Sequence, residues 1–413
     1  MSAGWRGFRL LPDDVLFFRD GRPSTRGDDH YLRSLFPPNP STLYGALRTR
    51  RLADAGVSLQ RLRRQGKALW AELPTDLRAE LGEWQGFGTL EVRGPWLVRG
   101  SDEVLLPAPA DLAVVAASKE DNCPRDPGEE PDPPVAERVA RFLAPAGDSP
   151  PGGHSHAGTL LFAHTWRDGA WRPWEGISPP RTAPGWYLTP EGLEAWAQGR
   201  APEPFQLVHA DALWLPEPRV GVGLERDRRM AEDGQLYTFG FVRLRQGVSL
   251  GFEARGTELT AGCRVVLGGE GRTCWLEGGP ALPAPPAASP ATAGGLRIAM
   301  VTPSLSERGS SLPGFAAIGD SAELQGRRLR LAGACVPGHA LVGGWDLARG
   351  GPKPLRRAIP SGSAFLLQPD GGSGLPAPGD LHGTHLSDYP GEHLARQGFG
   401  LLVAGIEPQP QTS

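Results

Sequence analysis

Lysine is nearly absent. Of 43 basic residues only Lys67, Lys119 and Lys353 are lysines, which leaves 40 arginines. Arginine is the better side chain for bidentate phosphate contacts and for stacking on bases. A GC-rich coding sequence would give the same bias without any function, so position has to decide. Cysteine is scarce too: Cys123, Cys263, Cys274 and Cys335 form no CxxC pair. That spacing excludes a zinc ribbon and a secreted disulfide framework, and points to buried reduced thiols. No apolar run approaches the ~18 residues of a membrane span, and the opening "MSAGWRGFRLLPDD" lacks the apolar centre of a signal peptide. The expected location is the cytoplasm. Net charge is only −3, so the molecule is no polycation, and any anion binding must be local.

What is present is a chain of 413 residues, 39% hydrophobic, long enough for two domains with real cores. Charge is unevenly spread. Residues 41–67 hold seven basic side chains against one acid, Asp54, whereas "EDNCPRDPGEEPDPPVAE" (120–137) holds seven acids among prolines. The stretch from about 107 to 158 therefore reads as an insertion without regular structure, and "PALPAPPAASPATAGG" (280–295) as a long surface loop.

Between these breaks lie mostly strand patterns: "GFRLLP" (7–12), "TLEVRGPWLV" (89–98, read as a hairpin), "GTLLFAHTW" (158–166), "QLYTFGFVRL" (235–244), "CRVVLGGEGRTCWLE" (263–277), "LRIAMVT" (296–302), "SAFLLQ" (363–368) and "GLLVAG" (400–405). The clearest helix spans 41–54. A strand, a helix and a strand pair, repeated more weakly in the second half, predict an α+β protein of two ferredoxin-like (RRM-type) domains, 1–215 and 216–413, each with a proline-rich insertion.

The densest run of signals is "FFRDGRPSTRGDDHYLRSLFPPNPSTLYGALRTRR" (17–51). Asn39 is a good N-cap, Pro40 fits the first helical position, and Ser41 and Thr42 follow with first-turn N–H groups that favour a phosphate. Leu43 and Leu47 face the core, which puts Ser41, Tyr44, Gly45 and Arg48 on the opposite face. Arg19, Arg22, Arg26, His30 and Arg33 surround the preceding turn, and could complete a basic concave surface. Local salt bridges to Asp20, Asp28 and Asp29 are the plain alternative.

Three further stretches bear on the same surface. "GLERDRRMAEDGQLY" sets Arg226, Arg228 and Arg229 at a hairpin tip, pressed on RNA or a partner, or simply solvated. "RQGFGLL" puts Arg396, Gln397, Gly398 and Gly400 before a strand, where backbone N–H groups can meet a phosphate or merely turn the chain. "PLRRAIPSGSAF" adds Arg356 and Arg357 with the same ambiguity. His154, His156 and His164 lack fixed metal-ligand partners, and the adjacent Asp13 and Asp14 most simply solvate a strand end. No metal or cofactor is expected.

Taken in order, "VLFFRDGRP", "SLFPPNPSTLYGALRT", "RVGVGLERDRRMAEDGQLYTFGFVRL", "GGWD" with "KPLRRAIPSGSAFLL", and "RQGFGLLVAG" resemble the family of the third-numbered subunit of the Cmr complex, a RAMP protein of type III-B CRISPR effectors. The resemblance implies a non-catalytic RNA-binding subunit that holds the 5′ handle of the CRISPR RNA. It also implies contacts with the large polymerase/cyclase-type subunit and a backbone RAMP subunit, and through the complex an indirect relation to target RNA. By motif it puts Arg19, Arg22, Ser41, Thr42, Tyr44, Arg48, Arg396, Gly398 and Gly400 against the handle. Ser24 stands where the family usually has an aromatic residue. Two alternatives stay open: a metal-independent RAMP endoribonuclease with His30 as general acid or base, and a carbohydrate-binding β protein, given twelve tryptophans.

Overall fold

The computed structural model describes residues 4–19, 31–84, 86–116, 133–143, 154–156, 159–167, 170–173, 185–224, 231–285, 293–309, 311–346, 350–389 and 393–408. Its largest sheet has eight strands in the order Leu207–His209, Trp186–Leu188, Glu103–Pro107, Glu91–Arg99, Val248–Arg255, Arg6–Pro12, Thr273–Gly278 and Cys263–Val266. Every pairing in it is antiparallel, and Leu10 stands opposite Leu250 on one side and Leu276 on the other. Alternation along each strand divides the side chains between two faces. One face buries Phe8, Leu10, Leu97, Leu250, Phe252 and Leu276 against Leu43 and Leu47 of the first helix and Trp70, Leu77 and Leu81 of the helices after it. Each such leucine contributes about 1.5–3 kcal/mol on burial.

The opposite face, with Trp96, Val98, Val104 and Leu106, packs on Ala299, Val301, Leu401 and Val403 of a second sheet. That sheet has five antiparallel strands, Ser321–Leu324, Arg327–Cys335, Ala364–Pro369, Ala293–Met300 and Leu402–Pro408. The Pro190–Ala197 helix lies at the junction. There Arg297, 2% exposed, pairs with Asp111 and donates to the Trp196 carbonyl at 3.0 Å, its guanidinium 4.4 Å over the Trp196 ring. The indole N–H of Trp196 donates in turn to Asp111 at 3.1 Å.

The class is thus mixed α/β with mostly antiparallel sheets and few helices. Sequence patterning finds most of the strands but misplaces several features. The expected hairpin at 89–98 is one strand, Glu91–Arg99, because Gly94 and Pro95 form a bulge opposite Phe252 rather than a turn. The expected irregular insertion contains paired strands at Leu112–Ala116, Ala136–Leu143 and His154–His156, whose flanks keep apolar residues such as Val114 opposite Val139. Its acidic centre, 117–132, lies outside the described residues. Strands from both sides of the expected boundary at 215 share the first sheet, since Arg6–Pro12 pairs with Val248–Arg255 and Thr273–Gly278. Among the described residues, no helix is long and apolar enough to cross a membrane.

Candidate nucleic-acid interface

The first helix runs Pro40–Asp54. Asn39 occupies the N-cap with an extended backbone, but its side chain makes no capping bond; the Thr42 N–H reaches back to the Asn39 carbonyl at 2.9 Å. Ser41, Thr42, Gly45 and Thr49 are half-buried along one side. A Cβ added at Gly45 would meet nothing within 4 Å. Glycine costs a helix interior about 0.5–1 kcal/mol relative to alanine. Among the described residues no neighbour requires it.

Tyr44 and Arg48 are not on that open side, which corrects the face assigned from spacing. Tyr44 is 2% exposed, in the core. Arg48 curls over rings, its guanidinium carbon 5.5 Å from the centroid of Trp70, 5.8 Å from Tyr44 and 6.0 Å from Phe87. It donates to the Gly86 carbonyl at 3.1 Å. Burial pulls Arg48 below the ordinary guanidinium value, while Tyr44 and Asp346 act in the other direction. The Tyr44 phenol is pushed up by its own burial, against the pull of Arg48 and Arg396. Its hydroxyl has no hydrogen-bond partner among the described residues. The aromatic residues escape a 3.6-residue reading because Trp70 and Phe87 come from later segments that only the fold brings to the helix.

Arg396, far away in sequence, reaches the other side of the Phe87 segment. It donates to the Gly88 carbonyl at 2.5 Å and pairs with Glu91 at 3.3 Å. The His393 ring lies 5.3 Å from that of Phe87. Gly398 sits against the start of the first helix, its Cβ direction 3.3 Å from Pro40 Cβ. The fold therefore brings Ser41, Thr42, Gly45, Arg48, Arg396, Gln397 and Gly398 into one neighbourhood. A sequence signal for this existed: "QGFG" occurs twice, at 85–88 and at 397–400, each time just before a strand.

The second of these loops is not open for a phosphate through its glycines. The Gly398 N–H donates to the Ala395 carbonyl at 3.0 Å and the Gly400 N–H to the Pro303 carbonyl at 2.8 Å. Gln397, Gly398 and Gly400 are buried. Close backbone approach explains Gly400, whose Cβ would lie 2.0 Å from the Leu386 carbonyl oxygen.

The remaining predicted positions separate. Arg19 is exposed and bridges Ser34, while Arg22, Arg26 and His30 lie outside the described residues, as do Arg226 and Arg228 at the tip joining Trp214–Leu224 to Ala231–Leu244. Arg356 stacks on Tyr389 at 4.4 Å, and Arg357 is exposed beside it. Asp13 and Asp14 do not act as a pair. Hydrogen bonds from Arg264 and then Thr273 hold Asp13 below the usual carboxylate range. Burial works to raise Asp14, but Arg243 and Arg219 outweigh it. Among the described residues no cluster of three histidine, cysteine or acidic side chains could hold a metal. Of the twelve tryptophans, Trp70, Trp96, Trp186 and Trp196 are buried in the core, whereas Trp275 and Trp345 are exposed.

Fold and site together define a mixed α/β protein whose first helix, two glycine-phenylalanine loops and cation-bearing rings meet in one place. The family model described as CRISPR-associated protein (Cas_Cmr3) matches residues 8–407, and the chain belongs to that family. Among solved structures, a chain of type III-B Cmr-beta bound to cognate target RNA and AMPPnP is similar at 14% identity and TM-score 0.44, covering 87% of this chain and 86% of that one. A second, of type III-B Cmr-beta bound to cognate target RNA, has 14% identity and TM-score 0.43, with 87% and 86% covered. The curated proteins contain no significant match.

Proposed function

We propose that this protein is a non-catalytic RNA-binding subunit of a type III-B CRISPR effector complex, acting in antiviral defence in the cytoplasm. It holds the 5′ handle of the CRISPR RNA and docks the large polymerase/cyclase-type subunit and a backbone RAMP subunit. Family membership supports the complex, and the open side of the first helix supports the RNA. Gly45, with Ser41 and Thr49 one turn away on either side, lets a phosphodiester backbone come close to hydroxyl donors on one side of the helix. Arg48 and Arg396 supply positive potential from behind, held in place by rings and carbonyls rather than left in solvent.

The single observation that carries this reading is the unoccupied space at Gly45. Valine is no worse a helix former than glycine, so Gly45→Val leaves the fold intact while filling that space. The variant is expected to show normal circular dichroism and to lose nuclease protection of the handle in repeat-derived CRISPR RNA. Wild-type protection by Gly45→Val would overturn the assignment.

A further inference from the structure

The strands Ala340–Val342 and Arg356–Ala358 pair antiparallel, Val342 opposite Arg356. The hairpin then extends outward. The Lys353 N–H donates to the Gly344 carbonyl at 2.8 Å, and Trp345 stands opposite Pro352. The turn is closed by the Gly350 N–H on the Asp346 carbonyl at 2.8 Å. Its base is fixed in the protein, because Val342 and Ala358 pack with Leu305, Leu394 and Phe399. At the outer end Trp345 is 57% exposed and Leu355 44% exposed, whereas Trp70, Trp96, Trp186 and Trp196 are all 5% exposed or less.

An indole held in water by a hydrogen-bonded hairpin leaves a large apolar face uncovered. The charge around it identifies what covers it. Among the described residues of 340–358 there are three basic side chains, Lys353, Arg356 and Arg357, and one acid, Asp346. Asp346 acts electrostatically on Arg48 of the first helix, favouring its charged form. An aromatic face among cations fits a nucleobase stacked on the ring with its phosphate near the positive charges.

We propose that Trp345 is a stacking platform for one unpaired base of RNA, an inference that rests on the RNA-binding reading above. The full-length protein is titrated with fluorescein-labelled single-stranded repeat-derived RNA at several salt concentrations. Trp345→Ala is expected to weaken binding by about fivefold or more. The log–log salt slope stays unchanged, because no cation is removed. Trp345→Phe keeps most of the affinity, and both variants keep the wild-type circular dichroism. Absence of RNA binding by the wild-type protein would overturn the RNA reading and the platform together. Wild-type binding with an indifferent Trp345→Ala would overturn the platform alone. So would a Trp345→Ala protein that binds RNA normally but no longer copurifies with the other subunits, since the ring then meets protein.

Discussion

Phe87 and Phe399 stand at the same place in the two Gln-Gly-Phe-Gly loops, yet their surroundings are opposite. Phe399 is 1% exposed, among Leu305, Val342, Ala358 and Leu394. Phe87 is half-buried and keeps the company of Tyr44, His393 and Arg48. One tetrapeptide has been used once as a knot in the core and once as the wall of a cation site. The same four residues take different backbone paths, with positive φ at Gly398 and Gly400 but at neither Gly86 nor Gly88, so the neighbours set both the turn and the role.

The largest effect that tests this contrast is at the two rings. Phe399→Ala should destabilise the protein by about 3–5 kcal/mol in chemical denaturation. Phe87→Ala should cost roughly half as much, because less of its ring leaves water, and it should loosen Arg48 as well. Equal losses would dissolve the distinction.

The second glycine of each loop sharpens it further. At both sites an added methyl group meets a carbonyl oxygen, Ala79 O at 2.2 Å from Gly88 and Leu386 O at 2.0 Å from Gly400. Gly400 also has φ +68°, in the left-handed region, whereas Gly88 does not. Overpacking costs about 1–3 kcal/mol at each, and backbone strain adds about 1 kcal/mol or more at Gly400. Gly400→Ala should therefore be the less stable variant, and reversed midpoints would show that the backbone at Gly400 is under no constraint.

The smallest effect at neutral pH grows with acid. His385 shares a hydrogen bond of 2.9 Å with the Phe399 carbonyl, and burial pushes its value down from 6.5 to about 4, with Arg93 opposing the charge as well. The neutral ring is thus favoured by folding. Its contribution is complete above pH 6.5 and is lost as the pH falls from 6.5 towards 4. The loss runs at about 1.4 kcal/mol per pH unit. His385→Asn should flatten stability across that window; an unchanged slope would mean that the histidine beside the second loop is not what titrates.

Much of the fold was legible because apolar alternation survives in strands such as Arg6–Pro12 and Ala364–Pro369. Several long strands escaped it, two of them for plain reasons. Val248–Arg255 is central in the first sheet, yet its Ser249 and Glu253 are buried, and Glu253 is matched by Arg93 only in the folded sheet. Arg327–Cys335 begins with two exposed arginines, which hide the alternation that follows. At the candidate site, the helix and its open glycine could be read directly. The placing of Tyr44 and Arg48 could not, because Trp70 and Phe87 come from other segments and decide which face of the helix is inside.

Asp111 is made after three strands of the first sheet and its partner Arg297 only after all eight, for every strand of that sheet is complete by residue 278. A ribosome that has released the first sheet still holds the partner of a carboxylate that folding will bury. Stripping one member from a buried pair costs about 3–5 kcal/mol. A chain that stops early therefore carries an internal flaw at the surface where its last sheet should dock.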